Sequence, residues 1–144
     1  SSGAVITLKA KTELATIADS ASSVQSSAGF VPANSLIIAG AVEVAVASAG
    51  GNNVTIDSIG LLAPNGGSAD PNYFGAASLS VQTLGGMKIG SQGDAAAADL
   101  QFITAADKMT ATFSGGVGTQ STDGVVRFTL WYYDLSATSA VSNN

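Results

Sequence analysis

Apolar residues recur along this chain with a period near two rather than 3.6, and clusters of Gly, Pro, Asn, Asp and Ser separate the runs. The pattern predicts strand after strand. Val5, Thr7 and Lys9 alternate with Ile6, Leu8 and Ala10, and residues 14–17 prolong or follow this first strand before a Ser-rich connection at 20–29. Pro32 fixes its own φ and pushes Val31 into an extended conformation, and a long strand over 36–47 follows. There Val42, Val44 and Val46 share one face, so Glu43 points away from the core. Gly50-Gly51-Asn52-Asn53 is a hairpin signal. The return strand over 54–62 places Ile56 and Ile59 on opposite faces, with Gly60 as the site of a bulge or bend. Residues 64–72 concentrate turn formers and predict an exposed loop. Further strands are predicted over 77–84, 87–89, 101–104, 109–114 and 125–133. The last has β-branched or aromatic residues at nearly every position. Ala95 to Leu100 has helix propensity after Asp94, a candidate N-cap.

About eight to ten short strands, with at most one short helix, predict an all-β fold: an antiparallel two-sheet sandwich or jelly roll. No alternating βα pattern is present, which disfavours parallel sheets and their phosphate sites. Residues 1–30 read as an N-terminal strand and Ser-rich connection that could serve as an arm, 31–135 as the sandwich core, and 136–144 as a loose tail. No repeat of solenoid or propeller period is seen.

Composition narrows the chemistry. The 144 residues contain no Cys and no His, which removes disulfides, thiolate nucleophiles and the commonest zinc ligand and general base. Charged residues make up 10% of the chain, well below the usual quarter. The surface is therefore mostly small and neutral, which suits a subunit packed among copies. The five cations, Lys9, Lys11, Lys88, Lys108 and Arg127, form no basic patch against a net charge of −5, so no nucleic-acid partner is expected. No apolar run approaches the roughly 20 residues of a membrane span, and no signal peptide is expected from the opening residues.

The remaining candidates are weighed against plainer readings. The glycine pairs lack a strand-to-helix context with lysine and read as turns. The carboxylates lie mostly in or near loops, where Asp caps turn amides. A glycosidase would need two of them held about 5–10 Å apart, and nothing in sequence order selects a pair. Asn65, Asp70 and Asn72 form the most ligand-like loop for calcium, but without EF-hand spacing they read as a turn. No metal or cofactor is expected, and no enzymatic activity.

Tyr73, Phe74, Trp131 and Tyr133 could supply aromatic contact surface. Alternation in the last strand puts Phe128, Leu130 and Tyr132 on one face and Arg127, Thr129, Trp131 and Tyr133 on the other. The first set reads as core. Trp131 and Tyr133 then fall at a subunit contact or under a loop, where Arg127 could stack on a ring or pair with a carboxylate of a neighbouring copy. The candidate contact surface is Asn65, Asp70, Asn72, Tyr73, Phe74, Arg127, Trp131 and Tyr133.

Three stretches resemble a small domain of tailed-bacteriophage virion accessory proteins. Val31-Pro32-Ala33-Asn34-Ser35-Leu36-Ile37-Ile38-Ala39-Gly40-Ala41-Val42-Glu43-Val44 is similar to the pattern I-P-A-x-S-x-I-x-G-V-x-x-x-V. Ile59-Gly60 with Asp70-Pro71-Asn72-Tyr73-Phe74-Gly75 resembles the loop G-D-G-x-D-x-D-R-F-G, without its acidic residue after the first glycine and with Tyr73 in place of the basic residue. Met109 to Phe113 and Gly124 to Tyr133 resemble the closing pair of strands. The resemblance implies a head decoration or cement protein, a head fibre or a tail-fibre part. It implies a location on the capsid surface of a virion after synthesis in the host cytoplasm, with the major capsid protein and copies of the chain as partners and a homotrimer favoured. The alternative is a carbohydrate- or receptor-binding fibre module that stacks ligands on Tyr73, Phe74 or Trp131.

Overall fold

The computed structural model describes residues 6–18, 21–48, 54–91, 102–114 and 124–136. The period-two pattern gives strands β1 (Leu8–Thr16), β2 (Ser23–Gln25), β3 (Ser35–Val46), β4 (Thr55–Leu61), β5 (Asp70–Ser80), β6 (Met87–Ser91), β7 (Phe102–Ile103), β8 (Met109–Ser114) and β9 (Val125–Asp134). They form two antiparallel sheets. One has the order β1-β9-β3-β6, with β7 pairing β3 beside β6, and the other runs β2-β8-β4-β5. The all-β sandwich read from the alternation is the observed architecture. The helix expected at 95–100, the hairpin tip at 50–53 and the tail from 137 lie outside the described residues.

The core is the interleaving of the two inner faces. From the first sheet come Ile37, Val42, Val44, Val126, Phe128 and Leu130, each fully buried, and from the second Ile56, Ile59, Leu61, Met109 and Ala111. Each large apolar side chain so buried stabilises the fold by roughly 1.5–3 kcal/mol. β9 supplies alternate residues to this core along its whole length, as its sequence predicts, because it lies between β1 and β3 in the middle of its sheet.

β1 and β2, both within the first 30 residues, are each integrated into a sheet. β1 pairs with β9 from Leu8↔Tyr133 to Thr16↔Val125, and β2 pairs with β8. The free side of β1 closes against the following loop. The Glu13 carboxylate accepts the backbone N–H and the hydroxyl of Ser27, both at 2.6 Å. The Lys11 ammonium stands 5.0 Å from the ring centroid of buried Phe30.

Two features of the second sheet depart from simple alternation. The β4 register shifts between Ile56 and Ser58 against both neighbours, which places a bulge at Asp57, and against β5 it shifts again between Ile59 and Leu61, at the Gly60 where a bulge or bend was expected. The extra residue at Asp57 turns Ile59 to the same face as Ile56, and both are fully buried. The exposed loop expected over 64–72 is also shorter. It is a single 3-10 turn at Pro64–Gly66 with a few flanking residues, and β5 already begins at Asp70.

Candidate contact surface

The eight candidate residues do not form one surface. Tyr73 and Phe74 are 2% and 3% exposed, which removes them from any stacking platform. The reason lies in the β5 backbone. Ile59 pairs with Gly75 and Leu61 with Asp70, so β5 spends extra residues between two positions of β4, and the excess folds inward carrying both rings. Three glycines make room. A Cβ on Gly60 would strike the main chain of Asp70 and Pro71, one on Gly90 would strike the Phe74 carbonyl, and one on Gly40 would lie 2.9 Å from the Phe74 ring and the Met109 methyl. The two rings meet edge-on, with centroids 4.9 Å apart. The Tyr73 hydroxyl is buried with no hydrogen-bond partner. Burial, and then the negative charge of Asp70, push its ionisation far above the ordinary phenol value.

Asn65 stays exposed but is engaged within the chain. Its Oδ1 accepts the Thr104 backbone N–H at 2.7 Å and the Thr104 hydroxyl at 3.0 Å, and its Nδ2 donates to the Phe102 carbonyl at 3.3 Å. Its positive φ of 56° is one that Asn tolerates. It staples the 3-10 turn to β7. Asp70 is half-buried and Asn72 exposed beside this turn. No group of three His, Cys, Asp or Glu side chains could hold a metal ion among the described residues. No pocket opens among them, and none of their helices is long and apolar enough to cross a membrane.

Arg127, Trp131 and Tyr133 do share a face, the outer one of the first sheet. Arg127 pairs with a carboxylate of its own chain. Glu43 sits directly opposite on β3, and its Oε2 accepts from the Arg127 Nη1 at 2.7 Å. Strand register builds the rest of the face in rows. At one end Thr16, Val125 and Val46 lie side by side. Next come Leu14, Arg127, Glu43 and Met87, followed by Thr12, Thr129 and Ala41, then Ala10, Trp131 and Ala39. Leu8, Tyr133, Leu36 and Phe102 form the far row. Leu14 is 57% exposed, Leu8 49%, Met87 and Val46 47%, and Phe102 41%. Among the described residues of this face, the charges are the mutually neutralised Arg127 and Glu43.

The outer face of the second sheet is different in kind. Ser23, Gln25, Thr110, Thr112, Ser114, Thr55, Ser58 and Ser80 occupy its rows, and the Ser114 hydroxyl donates to Asp57 at 2.6 Å. This is the hydroxyl-rich, water-facing side expected of an antiparallel sheet. The apolar face of the first sheet was not legible as a unit. Leu8, Leu14, Leu36, Met87 and Phe102 are scattered over four strands, and only the pairing brings them together.

No family model matches this chain, and no curated protein matches it. Among solved structures, a chain of the cyanophage Pam1 capsid asymmetric unit is similar in fold. The TM-score is 0.50 at 15% sequence identity, over 89% of this chain and 84% of that one.

Proposed function

We propose that this chain is a non-enzymatic structural subunit of a bacteriophage virion, a decoration or cement protein that stabilises the head through subunit contacts. The observation that carries this reading is the fold likeness to a capsid chain along nearly the whole length. Two further features support it. The strand orders β1-β9-β3-β6 and β2-β8-β4-β5 are compatible with a two-sheet jelly roll, an architecture used in viral shells. One sheet face is apolar and almost uncharged, as surfaces that end in contact with other subunits are.

The mechanism is mechanical. Binding to the assembled shell stabilises the assembled state in proportion to occupancy and affinity, with the major capsid protein and further copies of the chain as partners, a homotrimer being the favoured assembly. The glycan-binding alternative has lost two of its three stacking rings to the core, and no observation favours it. The reading is tested by cryo-electron microscopy of the parent particle, and by heating particles that lack the chain. Density for it on the head, with earlier rupture of the depleted particles, is the expected result. Its absence from the particle overturns the reading.

A further inference from the structure

The outer face of the first sheet would be poorly suited to permanent exposure. Antiparallel sheets with one free face normally alternate apolar-in with polar-out, as the second sheet does here. On the first sheet both phases are apolar along much of β3 and β9, and β1 turns Leu8, Ala10 and Leu14 outward. Leu8, Leu14, Val46, Met87 and Phe102 each leave between 41% and 57% of their surface to solvent. From the extent of the rows, about four strand spacings wide and nine residues long, the face has a flat footprint of roughly 600 Å². That is the area of the whole face, its threonines and ion pair included, and it stands at the upper end of the roughly 300–600 Å² of the largest patch on a typical monomer. Two such footprints in contact reach about 1,200 Å², the lower bound for a specific protein interface.

Charge selects the occupant. The chain carries a net charge of −5, so two copies brought together at random repel. This face is the exception, because its one cation and one anion neutralise each other 2.7 Å apart within the same molecule. It asks for no countercharge and repels no copy of its own chain. Its half-buried Trp131 lies in the row next to the end row of Leu8, Tyr133, Leu36 and Phe102, and Leu14 and Met87 stand two rows further on, beside Arg127 and Glu43. Aromatic residues bordered by aliphatic ones are the composition of an interface core.

We propose that this face is covered by a second copy of the same chain. The proposal rests on the virion-subunit reading for its setting only, since the contact belongs to the isolated protein. The test is the mass of the purified full chain at tens of micromolar, by size-exclusion chromatography with light scattering. The wild type is expected to run as a multiple of 14.1 kDa, and Leu8→Lys with Leu14→Lys as a single copy. Both leucines are half-exposed on an edge strand, so the double variant keeps the fold, which circular dichroism checks. Ser23→Lys on the opposite sheet leaves the assembly intact.

A second measurement uses the absence of native Cys. A bulky maleimide on Thr12→Cys blocks assembly, whereas the same label on Ser23→Cys does not. A monomeric wild type, or an oligomer indifferent to the changes at 8, 12 and 14, overturns the proposal while leaving the head-bound reading standing. An oligomer that breaks as described, from a chain absent from the particle, supports the contact and overturns only the virion reading.

Discussion

The carbonyl oxygen of Phe74 occupies the place that a Cβ on Gly90 would take. β5 and β6 belong to different sheets, so this approach of backbone to backbone is where one side of the sandwich closes. No other residue type fits at 90 without separating the two strands.

Gly90→Ala is therefore expected to cost about 3 kcal/mol, at the upper end for overpacking because the obstacle is main chain rather than a flexible side chain. Urea unfolding followed by tryptophan fluorescence reads the change. A loss below about 1 kcal/mol would mean that β5 and β6 can part easily.

Tyr73→Phe is expected to stabilise the protein by about 1 kcal/mol, since it removes a buried hydroxyl that has no partner and keeps the ring. It also changes the alkaline limb. Burial and Asp70 raise the folded-state ionisation well above the ordinary 10.0. The unfolded phenol therefore ionises first, and wild-type stability falls as pH rises above about 10. The variant lacks this part of the decline, which is measured by comparing urea midpoints at pH 9 and pH 11.

Asp107 was not singled out from sequence, yet it is a buried joint. It is 6% exposed, its carboxylate oxygens accept the Ala63 N–H at 3.0 and 3.1 Å, and its backbone exchanges two hydrogen bonds with Val31. Asp107→Ala leaves the Ala63 donor unpaired and is expected to cost about 2–3 kcal/mol, whereas Asp107→Asn, which keeps an acceptor, costs about 1 kcal/mol. Equal losses in the two variants, by thermal or urea unfolding, would show that the hydrogen bond is not the reason for the residue.

The Asp134 carboxyl is held down at about 2, below the ordinary 3.8, by the hydroxyl and N–H of Ser136 and by Lys9. The unfolded chain takes up this proton first as pH falls. The contribution of Asp134 is thus complete above about pH 4 and is lost on the way down to about pH 2. Subtracting the stability of Asp134→Asn from that of wild type should leave a small plateau that vanishes across this window, because the group is exposed and screened. A difference that stays constant down to pH 2 contradicts this.

Much of the fold was legible locally. The alternation of Phe128, Leu130 and Tyr132 with Arg127, Thr129 and Trp131 predicted both the strand and its two faces. Met109, Ala111 and Phe113 did the same for β8. These readings hold because a strand with one buried face imposes period two on its own residues. Ile59 was placed on the wrong face for the complementary reason: a bulge at Asp57 costs one residue of register, and nothing in Ile56-Asp57-Ser58 marks it.

The contact surface was legible only in part. Trp131, Tyr133 and Arg127 were assigned to the outer face by alternation, and there they are. Tyr73 and Phe74 follow a turn-rich stretch and carry the local signature of an exposed rim, but their burial depends on Gly40, Gly60 and Gly90, which lie on three other strands, β3, β4 and β6. Alternation along the chain thus determined which residues share a face of their own strand. Tertiary structure decided which faces meet, where the backbone folds inward, and that Glu43 neutralises Arg127, because pairing register and close packing depend on residues far apart along the chain.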